Sequence, residues 1–125
     1  MSTDAKPAVT VPDGEPPDGL EIHDLVEGEG PQAAAGMTAT VDYVGVSWST
    51  GEEFDASWNR NDTFSFRLGA GEVISGWDQG VQGMKVGGRR RLTIPPDLGY
   101  GKFGAGGVIA PDETLIFVVD LRRVG

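Results

Sequence analysis

Apolar and polar residues alternate in several short runs of this chain, which is the pattern of half-buried β-strands. The alternation is clearest in one run, where Ala39, Val41 and Tyr43 fall on one face and Thr40 and Asp42 on the other. The same pattern predicts six strands, over Leu20–Val26, Thr38–Val44, Glu53–Asp55, Thr63–Leu68, Arg89–Ile94 and Thr114–Val124. The fifth strand ends at two prolines, because proline cannot donate a hydrogen bond to a strand ladder.

One segment has the spacing of a helix instead. Ile74, Trp77, Val81 and Met84 fall at i, i+3, i+7 and i+10, so they share one face of a short helix. Each glycine inside the surrounding segment Gly71–Val81 costs a helix roughly 0.8–1 kcal/mol relative to alanine, so tertiary packing has to hold it. The spacing by itself favours an ordinary buried core tryptophan. Strands joined by hairpins and a single helix predict an α+β fold built on an antiparallel sheet.

The first 19 residues differ in composition from the rest of the chain. They contain four of its eight prolines, four acids, one base and few large apolar groups. This composition predicts a disordered, acidic, proline-rich leader over residues 1–19. Residues 20–125 are then expected to form one domain, which is long enough to enclose a sizeable core.

Composition excludes several classes of function. The net charge of −9 argues against nucleic acid or an anionic membrane as a partner. The chain has no cysteine and a single histidine, His23, so neither a zinc site nor a Ser-His-Asp triad is expected. No run has the length of a signal peptide or a membrane span, and no oligomerisation signal is visible. The expectation is a soluble, cytoplasmic monomer that needs no cofactor and no metal.

Three motifs suggest chemistry that their surroundings do not support. The segment Gly99–Gly104 matches G-x-G-x-x-G, but a dinucleotide fingerprint has to follow a strand and open a helix, and prolines and glycines flank this one. The run Arg89-Arg90-Arg91 would alternate across a strand, so we interpret it as a solvated strand face rather than a basic patch. The pair Glu52-Glu53 is interpreted as exposed surface charge.

Aromatic residues are the remaining candidates for a functional site. The chain has ten, spread over several elements: Tyr43, Trp48, Phe54, Trp58, Phe64, Phe66, Trp77, Tyr100, Phe103 and Phe117. Aromatic walls suit a concave apolar site with a few polar groups. They would equally fill an ordinary core, and the pattern alone does not separate the two.

Seven blocks stand in a fixed order within residues 20–124. They are Val41–Gly45 (VDYVG), Gly51–Asp55 (GEEFD), Phe64–Gly69 (FSFRLG), Glu72–Trp77 (EVISGW), Gly83–Gly87 (GMKVG), Tyr100-Gly101 and Val108–Phe117 (VIAPDETLIF). In order and spacing these blocks resemble the FKBP-type peptidyl-prolyl cis/trans isomerases, and the compact, glycine-rich chain favours a single-domain bacterial member. The resemblance implies a curved antiparallel sheet of five to six strands wrapped around one short α-helix.

The resemblance also implies roles for individual residues. It assigns Trp77 as the floor of a ligand site, with Tyr43, Phe54, Phe64 and Phe117 as walls. It assigns Glu72, Val73, Ile74, Val108 and Ile109 to ligand binding, with the Ile74 N–H donating to a substrate carbonyl. It makes the Tyr100 hydroxyl a second donor to the ligand and Asp55 a polar group of the pocket, held by Tyr43 and Arg60. An ordinary structural ion pair would account equally well for Asp55 and Arg60.

The implied function is rotation of X–Pro bonds in peptides and in unfolded or partly folded proteins, by non-covalent stabilisation of the twisted amide. Macrolides of the tacrolimus and rapamycin type are the implied small ligands. A binding module for proline-bearing segments is the alternative, and a folding helper with chaperone character is a third possibility. The chain departs from the family pattern at Phe103, at Ala105 where histidine is frequent, and at Ala110 where proline is common. These departures concern substrate preference more than activity.

Overall fold

The computed structural model describes residues 3–125. Its elements are β1 (Glu21–Val26), β2 (Thr38–Ser47), β3 (Glu53–Ala56), β4 (Phe64–Arg67), α1 (Ser75–Gly80), β5 (Arg89–Ile94) and β6 (Leu115–Val124). Three short 3-10 turns lie at Ser57–Arg60, Pro96–Leu98 and Gly101–Phe103. The predicted strands are confirmed, with ends that move by up to three residues.

The strands form one antiparallel six-stranded sheet in the order β1-β5-β6-β2-β3, and β4 also pairs with β2. Strand β2 can accept both β3 and β4 on one side because they use different halves of it: Val41 pairs with Phe64, and Val44 pairs with Ala56. The chain between them turns through Ser57–Arg60. The prediction of an α+β fold with a sheet around one helix is confirmed.

The sheet has two faces with different side chains. On the face toward α1, which we call the inner face, alternate residues of β2 and β6 form the main core, including Val41, Tyr43, Phe117 and Leu121. The residues between them point to the outer face, where Val44, Val46, Ala56 and Ile116 form a second apolar cluster. Strands β2 and β6 therefore contribute apolar residues to both sides.

Helix α1 lies against β5, and its glycines explain how it packs so closely. A Cβ at Gly76 would stand 2.6 Å from Ile94 Cγ2, and a Cβ at Gly80 would stand 2.6 Å from Leu92 Cδ2. No side chain fits at either position without displacing the core. The glycines weaken the isolated helix, but they let Trp77, with 4% of its surface exposed, reach the centre of the domain.

The interpretation of the three arginines as a solvated strand face is wrong for two of them. Only 8% of Arg89 and 9% of Arg90 is exposed. Arg89 Nε donates to Asp120 Oδ1 at 2.6 Å, and Arg90 Nε donates to Asp24 Oδ1 at 2.7 Å. A guanidinium is buried in proteins when it is paired, as both of these are. The alternation of the run across the strand is as expected.

Residues 3–19 contain no helix and no strand, and part of the segment lies against the outer face of the sheet. The prediction of a disordered leader over residues 1–19 stays a prediction, and Met1 and Ser2 lie outside the described residues. Within residues 3–125, no helix has the length and apolar character needed to cross a lipid bilayer.

Candidate functional site

A small cavity of about 200 Å³ opens between the inner face of the sheet and the start of α1. Ten residues line it: Tyr43, Phe54, Asp55, Phe64, Glu72, Val73, Ile74, Trp77, Tyr100 and Phe117. They come from four strands, one helix and two loops, so only the folded chain brings them together. All ten are residues to which the sequence resemblance assigned a role.

Aromatic rings meet edge to face around Trp77. Its ring centroid lies 5.0 Å from that of Tyr43, 5.2 Å from that of Phe117 and 6.0 Å from that of Phe64, with interplanar angles of 79°, 86° and 72°. Edge-to-face pairs of this kind contribute about 0.5–1.5 kcal/mol each beyond their buried area, and they fix the orientation of the rings. The cavity therefore has a rigid aromatic floor and wall.

The wall formed by Phe54 and Phe117 depends on a glycine. Their rings stand 5.5 Å apart at 89°, directly over Gly45 of β2. A Cβ at Gly45 would lie 2.6 Å from Phe54 Cζ and 2.7 Å from Phe117 Cε1. Gly45 therefore contributes to the site by leaving room for these two rings. In the sequence, its place in the block VDYVG was the one indication of this role.

Asp55 is one of two acidic residues in the cavity lining, and two neighbours hold it. Tyr43 Oη donates to Asp55 Oδ2 at 2.5 Å, Arg60 Nη1 donates to Asp55 Oδ1 at 2.6 Å, and Arg60 Nη2 donates to Tyr43 Oη at 2.9 Å. Burial pushes the pKa of Asp55 upward, but these hydrogen bonds and the charge of Arg60 outweigh it and hold the pKa below its ordinary 3.8. Asp55 is therefore an anion at neutral pH.

The hydrogen bonds among Tyr43, Asp55 and Arg60 also shift the pKa values of Tyr43 and Arg60. Burial, and then the bond to the Asp55 carboxylate, raise the pKa of the Tyr43 hydroxyl above its ordinary 10.0, so it remains a donor. The bond to Asp55 raises the pKa of Arg60 as well. Arg60 does not line the cavity, and it acts on the cavity through Tyr43 and Asp55.

Sequence reasoning missed two carboxylates near the cavity: Asp78 holds the loop before α1, and Asp42 supports Tyr43 of β2 through Ser57. Asp78 accepts the N–H of Gly69 at its Oδ1 and the N–H of Gly71 at its Oδ2, both at 2.9 Å. Asp42 accepts the hydroxyl of Ser57 at 2.8 Å, and Ser57 Oγ in turn accepts the backbone N–H of Tyr43. An acid in the first turn of a helix was the available signal for Asp78, because that position suits a negative charge.

Glu72 uses part of its carboxylate locally, since its Oε1 accepts the N–H of Arg67 at 2.8 Å. The N–H of Ile74 makes no backbone hydrogen bond within residues 3–125, and the same is true of the side-chain N–H of the buried Trp77. The backbone N–H of Ile74, a residue of the cavity lining, is thus a donor that the described protein leaves open.

Two predicted residues lie elsewhere. Ile109 is 6% exposed and belongs to the main core beside the cavity. Val108 is 59% exposed and lines a separate, open depression of about 600 Å³ between the β2–β3 turn and residues 103–111. The structure does not bring either side chain into the cavity lining, and Phe103, at 85% exposed, stands at the same loop tip as Val108.

Comparison with known proteins gives a consistent result. Residues 30–122 match the family model described as FKBP-type peptidyl-prolyl cis-trans isomerase. The chain is 68% identical over 120 residues to an FK506-binding protein of Streptomyces anulatus, covering 95% of this chain and 97% of that protein. It is 48% identical over 116 residues to a probable FK506-binding protein of Corynebacterium glutamicum, covering 93% and 96%.

Solved structures give the same fold. The crystal structure of AtFKBP13 superimposes with a TM-score of 0.79 at 40% identity, covering 94% of this chain and 98% of that chain. The crystal structure of FkpA from Escherichia coli superimposes with a TM-score of 0.76 at 40% identity, covering 85% of this chain and 48% of that chain. The fold, the cavity and the sequence matches agree that this chain belongs to the family of FKBP-type peptidyl-prolyl cis-trans isomerases.

Proposed function

We propose that this protein is a peptidyl-prolyl cis/trans isomerase whose site is the cavity above Trp77. The observation that carries the proposal is the aromatic cavity, whose lining is largely apolar with a few polar groups. Such a cavity fits a proline ring and the amide bond before it. Membership of the FKBP-type family supports the same conclusion.

The reaction needs an environment rather than a nucleophile. Rotation of a peptide bond is slowed by amide resonance, with a barrier of about 18–20 kcal/mol. For X–Pro bonds the two isomers are close in energy and interconvert over tens to hundreds of seconds. A catalyst has to bind the twisted amide better than the planar one. Because a twisted amide loses resonance and polarity, a dry aromatic site favours it over the planar form.

Each lining residue has a proposed part in this process. Trp77 supports the proline ring, and Tyr43, Phe54, Phe64 and Phe117 exclude water from the amide. The Ile74 N–H donates to a carbonyl of the substrate, since no backbone acceptor within residues 3–125 occupies it. The Tyr100 hydroxyl donates to a second substrate oxygen. Lowering the barrier by about 5.5 kcal/mol would accelerate rotation roughly 10⁴-fold.

Macrolides of the tacrolimus and rapamycin type are the small ligands that we propose for the same cavity. Two relatives that cover nearly the whole chain are named for binding FK506. A macrolide that fills the aromatic cavity would compete with the substrate. This gives the experiment a second, independent readout.

The test measures cis-to-trans isomerisation of a short Ala-X-Pro-Phe peptide at low temperature, with and without rapamycin. Phe54→Ala and Phe103→Ala form a matched pair, because both remove a phenyl ring but only Phe54 lines the cavity. We expect activity that a near-stoichiometric dose of rapamycin abolishes. Phe54→Ala should weaken ligand binding by about 1 kcal/mol or more, as truncation of a buried contact residue does, and Phe103→Ala should leave binding unchanged. Equal losses in both variants would refute the assignment of the cavity.

A different outcome would favour the alternative function. Tight binding of rapamycin without turnover of any proline peptide would make the cavity a binding module for proline-bearing segments of a partner. Absence of both binding and turnover would refute the proposal as a whole.

We further propose residues 1–19 as a leader and residues 20–125 as the isomerase domain, acting as a monomer in the cytoplasm on peptides and on unfolded or partly folded proteins. The family match, over residues 30–122, falls within the proposed domain. The net charge of −9 supports the exclusion of nucleic acid and anionic membranes as partners. Light scattering and fractionation of the source cells would test these assignments.

A further inference from the structure

The segment 3–12 runs across the outer face of the sheet, opposite the cavity. Pro7, Val9 and Val11 are partly buried, whereas the residues between them are exposed. This period of two is that of an extended chain with one side against a surface. Val9 and Val11 pack on the outer apolar cluster, at whose margins Trp48 and Trp58 are also partly buried.

Three arginines of the sheet bind the main chain of this segment. Arg122 Nη2 donates to the carbonyl of Thr3 at 2.7 Å, Arg89 Nη2 to that of Ala5 at 2.9 Å and Arg91 Nη2 to that of Thr10 at 3.4 Å. In each of these bonds the arginine side chain donates to a backbone carbonyl oxygen of the segment. Bonds to backbone oxygens hold the main chain of the segment, and the alternate side chains Val9 and Val11 contact the apolar cluster.

Two of these arginines are fixed in place by carboxylates of the sheet. Arg89 makes two bonds to Asp120, at 2.6 and 3.1 Å, and Arg122 Nε donates to Asp42 Oδ2 at 3.0 Å. The guanidinium groups are therefore oriented before the segment binds. Preorganised donors reduce the ordering that binding requires.

Lys6 connects the segment to the wall of the cavity. Its Nζ lies 2.8 Å from Glu53 Oε1 and donates to Asn59 Oδ1 at 3.0 Å. The bond from Lys6, and then that from Asn59, lower the pKa of Glu53 below its ordinary 4.5. The stretch 53–60, which contains both acceptors, also carries Phe54, Asp55 and Arg60. The segment thus holds the back of the strand and turn that form one side of the site.

We propose that the outer face carries a second binding site, an outer groove for an extended peptide, which residues 3–12 of the same chain occupy as a built-in ligand. The outer groove is defined by Arg89, Arg91, Arg122, Trp48 and Trp58 around the outer apolar cluster. Its occupant is an extended segment with apolar side chains two residues apart and a lysine three residues before the first of them. When occupied, the groove braces residues 53–60. The inference does not depend on the isomerase proposal.

The proposal predicts binding of the same segment when it is supplied separately. In the intact chain the segment acts at an effective concentration in the millimolar range, so an added peptide competes poorly. The 125-residue chain with Val9→Asp and Val11→Asp should release its own segment, because two carboxylates would otherwise be buried on an apolar cluster. Both substitutions lie outside the sheet and the core, and circular dichroism would verify that the fold is kept.

The probe is a fluorescein-labelled peptide of residues 3–14, followed by anisotropy. We expect saturable binding to the double variant and at least tenfold weaker binding to the wild-type chain. The matched control peptide, which carries the same two aspartates, should bind neither protein. Equal affinity of the probe for both proteins, or no binding to the double variant, would overturn the outer groove.

Hydrogen exchange tests the brace separately. Amides of residues 53–60 should exchange at least threefold faster in the double variant than in the wild-type chain, and saturating probe peptide should restore the slower rate. Amides of β5 and β6 in the centre of the sheet serve as the internal reference. Unchanged exchange at residues 53–60 would refute the link between the outer groove and the cavity wall.

Discussion

On the inner face of the sheet, aromatic rings surround a cavity of about 200 Å³ that no side chain of residues 3–125 fills. On the outer face, the cluster of Val44, Val46, Ala56 and Ile116 is covered by Val9 and Val11 of the same chain. Both surfaces are apolar and share the strands β2 and β6. The inner surface leaves an open cavity, whereas the outer surface is covered by the segment 3–12. The comparison shows that two apolar surfaces of one sheet differ in what stands against them, an open cavity on the inner side and a segment of the same chain on the outer side.

The two faces also treat their carboxylates differently. Asp55 at the cavity has a side chain that is 41% exposed, and Asp120 on the outer side has one that is 0% exposed. The bonds from Tyr43 and Arg60 outweigh the burial of Asp55 and lower its pKa, whereas burial dominates at Asp120 and raises its pKa despite Arg89. A charge at the inner site is thus stabilised by its partners. A charge under the outer groove is opposed by desolvation.

The largest expected effect comes from truncating one buried residue on each face. Trp77→Ala should lower the free energy of unfolding by about 3–5 kcal/mol, and Ile116→Ala by about 2–5 kcal/mol, because both leave a cavity in a packed core. Only Trp77→Ala should also weaken prolyl-ligand binding by more than about 1 kcal/mol per folded molecule. Urea denaturation and calorimetric titration below the unfolding transition would measure the two quantities. Loss of binding in Ile116→Ala would break the comparison between the faces.

A methyl group added at Gly45 should have the next largest effect. Gly45→Ala places a Cβ within 2.7 Å of both Phe54 and Phe117, so the rings have to move into the cavity. Overpacking of this kind costs about 1–3 kcal/mol of stability, and here it also narrows the ligand site. Gly19→Ala is the matched control, since apart from its chain neighbours no atom of residues 3–125 lies within 4 Å of its Cβ position. Ligand affinity unchanged in Gly45→Ala would show that the Phe54–Phe117 wall does not contact the ligand.

The two carboxylates predict opposite dependences on pH. The pKa of Asp55 is lowered by folding, so the stability it contributes is complete above the ordinary value of 3.8 and is lost as the pH falls through the lower folded pKa. The pKa of Asp120 is raised, so its contribution is complete below 3.8 and is lost as the pH rises through the higher folded pKa. Carboxyl carbon chemical shifts followed through an acid titration would measure both. Two pKa values on the same side of 3.8 would remove this difference between the faces.

Much of the fold followed from periodicity, because β2 and β6 alternate clearly between faces. The boundaries of α1 were harder to predict from the sequence. Gly76 and Gly80 disfavour a helix, and only their close contact with β5 explains why they occur inside one. Burial of Arg89 was also missed. Its partner Asp120 is 31 positions away in the chain, and strand pairing alone places the two side by side.

For the candidate site, too, part could be predicted from the sequence and part could not. Spacing and composition presented Trp77 and the other aromatics without distinguishing a cavity from a filled core, and the family resemblance selected the ten residues that line it. The roles of Gly45 and Asp78 were not predicted, because they depend on contacts that exist only in the folded chain. Gly45 leaves room for two aromatic rings, and Asp78 accepts two backbone N–H groups. The ligand-binding role of Val108 stays a prediction, since its side chain stands 59% exposed beside a different depression. The position of a loop tip depends on local contacts that neither alternation nor motif order encodes.

The smallest expected effect is that of Tyr100→Phe, which we compare with Tyr43→Phe in the same cavity. The Tyr43 hydroxyl is bonded to Asp55 and Arg60, so Tyr43→Phe removes the donor from Oδ2 of a partly buried carboxylate, which keeps Arg60 on its Oδ1, and should cost stability as well as binding. Tyr100 is 42% exposed, and its hydroxyl has no hydrogen bond within residues 3–125, so Tyr100→Phe should leave the unfolding transition unchanged. It should weaken prolyl-ligand binding by about 0.5–1.5 kcal/mol, the net contribution of one hydrogen bond. Titration calorimetry and thermal unfolding of both variants would resolve the difference. A loss of stability in Tyr100→Phe would mean that this hydroxyl is part of the scaffold, whereas complete loss of turnover would mean that it does more than orient the substrate.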